Sequence, residues 1–160
     1  MTDERLRSDI EGEFDLLIVT LDYLRRSVLR KLSGLSDEQA RKSMVASGTS
    51  IGGLIQHLTF VESFWFEEIV TGNESGLGDR SMDLDEAATV TLLGADYEAA
   101  CERSNEIVRE VGDLDAPTSR ERHGRSLTLR WVMVHMIEET ARHAGHADII
   151  REHLDGTTGR

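Results

Sequence analysis

One proline, Pro117, stands in a chain of 160 residues. Proline breaks helices because it lacks an amide donor and clashes with the turn before it. A chain with so few breakers can run in long helices, and no segment shows the sustained period-two alternation of a half-buried strand. Four segments instead carry apolar residues at three- and four-residue steps. The first spans about Gly12 to Leu32, where Phe14, Leu17, Ile18, Leu21, Leu24, Val28 and Leu32 form one stripe. Ser33 and Gly34 end it, and residues 36–41 read as a short capped turn.

The second segment starts after Thr49 and Ser50, suited to an N-cap, and runs to about Thr71 before Gly72 and Asn73. Residues 72–84, rich in Gly, Asp and Ser, read as a loop. The third helix is expected to start between Asp85 and Thr91 and to end at Val111, followed by a loop over 112–126. The fourth should begin near Ser126 or Thr128 and stop at Asp155 and Gly156, about 27 residues and roughly 40 Å at 1.5 Å per residue. The fold class is therefore all-α, a four-helix bundle with long inter-helix loops, in a single domain over residues 1–160.

The net charge of -12 disfavours nucleic acid and anionic lipid as partners. The lone cysteine, Cys101, allows no internal disulfide and fits a reducing compartment, where it reads as a small core residue. Residues 1–5 are charged and lack an apolar core, so no signal peptide is expected, and no apolar run approaches the roughly 20 residues needed to span a bilayer. A cytoplasmic location follows as an expectation.

The fourth helix carries His135, Glu139, His143 and His146 at steps of four, four and three. At about 100° per residue these fall within an arc of roughly 80°, beside the apolar stripe. Burying several ionisable groups costs free energy unless each finds a partner. A divalent metal would satisfy a carboxylate and imidazoles together, and Glu139 and His143, at i and i+4, can meet a common ion. A third ligand must come from another helix, and His57, flanked by Leu54, Ile55, Leu58 and Val61, is the natural candidate. The alternative is a hydrogen-bonded polar core without metal, and from spacing alone both readings stand. Two His and a carboxylate would leave coordination positions open, as catalytic sites do, and would suit zinc, nickel or other ions.

The stretch Thr49–Leu58, with Val61, Glu62, Trp65 and Phe66, resembles the second helix of the DinB/YfiT-like bundles. Leu129–Glu152, followed by Asp155 and Gly156, resembles the last helix of one branch of that superfamily. The resemblance implies a four-helix bundle, often a homodimer, with a divalent metal at three residues. Many members use three His; the Glu at position 139 departs from them and matches the mycothiol-dependent maleylpyruvate isomerase branch, which uses His, Glu and His. The resemblance thus assigns His57, Glu139 and His143 as metal ligands, with zinc or nickel expected. It points to mycothiol or a similar small thiol as co-substrate and an electrophile as its partner. The excess of Arg over Lys, with Lys31 and Lys42 the only lysines among 18 basic residues, is compatible with a GC-rich bacterium and hence with mycothiol.

His146 and His135 are the candidates for proton handling, or else polar residues at the bundle rim. Arg142 and Arg130 are candidates to hold a carboxylate of the cofactor or substrate, or else solvated surface residues. Glu62, Glu67 and Glu68 are expected to face solvent for the most part, His123 and His153 are expected at the surface, and Asp148 and Arg151 in helix-surface or supporting pairs. Three functions follow as expectations: a metal-dependent thiol S-transferase or isomerase, a non-catalytic metal- or ligand-binding stress module, and a structural interaction protein.

Overall fold

The structure is a computed structural model that describes residues 10, 12–76 and 82–158. The charged N-terminal stretch and the centre of the 72–84 loop lie outside the described residues. Among those residues there is no named strand, and five helices are formed: α1 Gly12–Leu29, α2 Asp37–Arg41, α3 Ile51–Ser63, α4 Val90–Val111 and α5 Leu129–Asp155. The all-α fold class is as expected. Among the described residues no helix is long and apolar enough to cross a membrane.

The capping chemistry explains the boundaries. Side chains of Ser36, Ser50, Thr89 and Thr128 accept from the backbone N–H three residues on, satisfying donors that a helix start leaves unpaired. Gly112 and Gly156 close α4 and α5 in the left-handed conformation. The first helix is shorter than its apolar stripe. After Leu29 the bonds tighten, with Lys31 donating to Val28 and Leu32 to Leu29, so Leu32 is still buried but no longer α-helical. The Arg151 guanidinium on α5 reaches over to the carbonyls of Lys31 and Ser33, at 2.7 and 3.0 Å, and holds that frayed end.

The second apolar segment is not one uniform helix. From Phe64 to Thr71 it widens into a π-helix that ends on Gly72. Widening lets carbonyls near its end turn outward, and the long loop before α5 uses them: Ser119 donates to Val70 and Arg120 to Ile69, both at 3.1 Å. That loop folds back on itself. Thr118 donates to Leu127, and Arg122 and Arg125 exchange backbone bonds around a two-residue turn. The turn needs positive φ at both central residues, and His123 (52°) and Gly124 (70°) supply it. The region read as loop over 112–126 is thus an ordered arm docked on the π-helical segment.

α1 packs chiefly along α5, and α3 along α4 with a further contact to α5. The interior holds two apolar clusters, one including Leu21, Phe66, Ile107 and Met133, the other Val28, Ile55, Tyr97 and Ile150. Buried polar residues fall at the border of the two clusters on each long helix: Arg25, Ser104 and Thr140 between their members, and Glu62 next to Val61, the first member of the first cluster on α3. A polar belt therefore crosses the bundle at mid-height.

Candidate metal centre

One part of the belt faces α1 and α4. Arg25 and Glu62 are 2% and 0% exposed and form a two-point ion pair, Nε to Oε1 at 2.8 Å and Nη2 to Oε2 at 2.5 Å. Arg25 also donates to Asp22 and Asn105 at 2.9 and 2.8 Å, which uses four of its five N–H groups. Burial alone would make the guanidinium easier to deprotonate, but Glu62 outweighs that and holds it charged. Glu62 thus does not face solvent: Arg25 lies 37 positions away, and nothing local announces the pair. Cys101 and Tyr97 are buried alongside, and burial pushes both pKa values up, leaving the thiol and phenol neutral.

The other part of the belt lies between α3 and α5. His57, Glu139 and His143 offer ligand atoms that all lie within 4.8 Å of one another. Glu139 Oε1 is 3.2 Å from His143 Nε2 and 3.7 Å from His57 Nε2. The two imidazole rings are 5.0 Å apart and steeply inclined. Ligands about 2.1 Å from a tetrahedral ion sit about 3.4 Å from each other, so the donor set fits a divalent ion with little rearrangement. Burial lowers the pKa of His143 despite the nearby Glu139 carboxylate, which keeps the ring neutral, the form that ligates metal. For Glu139, burial works upward, but the His143, His135 and His57 imidazoles outweigh it and hold the carboxyl below its ordinary value. His143 Nδ1 is buried with no hydrogen-bond partner among the described residues.

Two clefts flank the cluster. One, about 310 Å³, is lined by His57, Glu139, His135, Trp65, Trp131 and Arg122, among others. The other, about 250 Å³, is lined by His143, His146, Thr49, Ser47 and Met82, among others. His135 sits in an aromatic stack, 4.6 Å from the Trp65 ring and 5.1 Å from Trp131, and burial lowers its pKa. His146 is exposed, its ring 5.6 Å from that of His143. The two therefore occupy opposite sides of the cluster.

Arg130 pairs with Glu13 and Asp115 and Arg142 with the exposed Glu138, and neither lines a cleft. The arginine that does is Arg122, from the docked arm, with His123 beside it. Neither was legible as a site residue, because a loop position carries no helical periodicity to place it. The one available signal was the His123–Gly124 pair, a combination that tolerates positive φ. Asp148 forms an ion pair with the buried Lys31, and Arg151 bonds Asp155, in line with their supporting role.

A family model described as mycothiol-S-transferase matches residues 16–156. Among solved structures, the chain is similar to one described as the conserved protein of locus from Enterococcus faecalis, with a TM-score of 0.72 and 14% identity, covering 92% of this chain and 99% of that one. At that identity the likeness concerns the fold alone. No curated protein matches the chain. With the match running from α1 to the end of α5 and spanning all three residues of the His–Glu–His cluster, the chain belongs to the mycothiol S-transferase family, of the DinB/YfiT-like kind.

Proposed function

We propose that the protein is a divalent-metal-dependent enzyme that transfers a mycothiol-type thiol to an electrophile, or isomerises a substrate through such a thiol. The observation that carries the reading is the convergence of two imidazoles and one carboxylate at a point reached from two clefts. His57, Glu139 and His143 are the ligands in this proposal, and zinc or nickel is the ion. A divalent ion held there lowers the pKa of a thiol and so makes its sulfur nucleophilic near neutral pH.

The chain's own residues do the rest. Three protein ligands leave coordination positions open. His135, kept neutral by its partly buried aromatic setting, is placed to accept the thiol proton in one cleft. His146 is the corresponding proton carrier on the other side. Trp65 and Trp131 wall that part of the site with apolar surface. In the transfer, the sulfur–carbon bond forms as the bond from that carbon to the leaving group breaks, and the leaving group departs with the electron pair of the broken bond. Arg130 and Arg142, already paired with carboxylates, would contribute to anion binding only by changing partners. A cytoplasmic homodimer acting on small molecules, not on nucleic acid or membranes, completes the proposal.

The test is turnover. Metal-loaded protein is incubated with mycothiol and a panel of electrophiles, and thiol loss is followed. The expected result is consumption well above that of the His57→Ala variant. Equal, background-level loss in both would remove the transferase reading and leave a binding protein.

A further inference from the structure

The cleft on the His135 side has a chemical direction. Its contacts run from the Arg122 guanidinium, 5.3 Å from the Phe64 ring centre, through Phe64 and Trp65, 5.5 Å apart, to His135, 4.6 Å further on. Glu139 and His57 line the same cleft, with Glu139 one helical turn beyond His135. One end is therefore cationic, the wall is aromatic and the other end is the candidate metal cluster. No carboxylate among the described residues lies within ion-pairing distance of Arg122, although the chain carries a net charge of -12. Nor is the residue on a free loop. The arm that bears it is tied to the π-helical segment by two backbone bonds and closed by the turn through His123 and Gly124. A guanidinium fixed in this way at the mouth of an aromatic cleft matches a planar anion.

We infer that this cleft is a subsite for a flat arene bearing a carboxylate, with the carboxylate on Arg122, the ring against Phe64 and Trp65, and the reactive carbon towards His135 and Glu139. The two-point geometry of the Arg122 guanidinium, which a reversed ring would leave unused, sets this orientation. A cleft of about 310 Å³ suits one substituted ring, since it equals the share of about ten waters in the liquid. The inference deepens the transferase reading and rests on it for the reaction, but not for binding.

The only two tryptophans of the chain, Trp65 and Trp131, both line this cleft, so intrinsic fluorescence reports its occupancy. Metal-loaded protein is titrated with 4-methylbenzoate, which cannot alkylate, and with 4-methylbenzamide and acetate as controls. The expected result is a saturable fluorescence change with 4-methylbenzoate and binding at least about tenfold weaker for the amide and for acetate. Arg122→Ala, checked for an unchanged melting temperature, should bring acid and amide to equal affinity, and Arg122→Lys should restore part of the preference. No saturable change, equal binding of acid and amide, binding of acetate as tight as the arene, or an unaltered preference in Arg122→Ala would each overturn the inference. If the subsite is found and no thiol is consumed with any electrophile, the transferase reading fails alone. If electrophiles turn over with no preference for arene carboxylates, the subsite fails alone.

Discussion

The two parts of the polar belt use similar materials and reach opposite ends. Around Arg25 and Glu62, a carboxylate meets a permanently charged guanidinium, Asn105 and Asp22 accept from its Nη1, and both partners are almost completely shielded. Around Glu139, a carboxylate meets two imidazoles, His143 Nδ1 has no partner among the described residues, and two clefts open onto the group. The first arrangement pairs its charges internally. The second brings together three ligand atoms that, in the proposed reading, one divalent ion would join. The difference between a structural polar group and a functional one lies in this internal pairing, not in the residue types or the depth of burial.

The largest effect that would sharpen this contrast comes from the closed half. Glu62→Gln leaves the buried Arg25 charge with only the part-exposed Asp22 carboxylate to balance it, and should cost about 3 kcal/mol of stability by urea unfolding. It should not alter metal affinity in whatever fraction remains folded. If stability barely moves, the closed half is not the internally paired unit described.

Next in size is the open half's response to metal. A divalent ion at about 100 times its dissociation constant should stabilise the wild-type chain by about 2.7 kcal/mol in thermal unfolding. The same ion should leave His143→Ala unchanged. That substitution should itself shift metal-free stability by only about 1 kcal/mol. Equal metal stabilisation of both proteins would break the comparison.

Smaller still is the pH response of the metal-free chain. Burial depresses the pKa of His135 and His143 in the folded protein. The unfolded chain therefore takes up these protons at higher pH. Stability should be greatest above the ordinary value near 6.5 and fall as the pH drops towards the folded values, by at most about 1.4 kcal/mol per pH unit for each ring. The depressed Glu139 pKa adds a loss of the same sign further down, below the ordinary carboxylate value. Denaturant titrations between pH 7.5 and about 5 measure the slope. A flat profile, or one that rises on acidification, would show that the imidazoles are not held neutral by burial. At the small end, Arg142→Ala breaks an exposed pair one turn apart, and should change stability by less than about 0.5 kcal/mol and metal binding not at all.

How much of this was legible in the sequence follows from the physics of each feature. Helix α5 was readable almost to the residue, because Thr128 and Gly156 cap it and its polar face has a strict period. The convergence of His57 on Glu139 and His143 required only two helices with their apolar sides inward, together with a resemblance to a known pattern. The π-helical widening at Phe64–Thr71 was not readable, since its composition is that of an ordinary apolar helix and tertiary bonds from the arm decide it. Glu62 was misplaced for a similar reason. A lone Glu on a helix belongs to the solvent by default, and only the distant Arg25 reverses that. Arg122 was hidden because loop residues gain their position from long-range backbone bonds.

The proposed chemistry stands on His57, Glu139 and His143 holding one ion together. Elemental analysis of the purified protein beside single alanine variants decides this. One divalent ion per chain is expected in the wild type and in His135→Ala, and loss of that ion in His57→Ala, Glu139→Ala and His143→Ala. A metal-free wild type after growth and dialysis with zinc or nickel, or full occupancy in any of the three ligand variants, would contradict it.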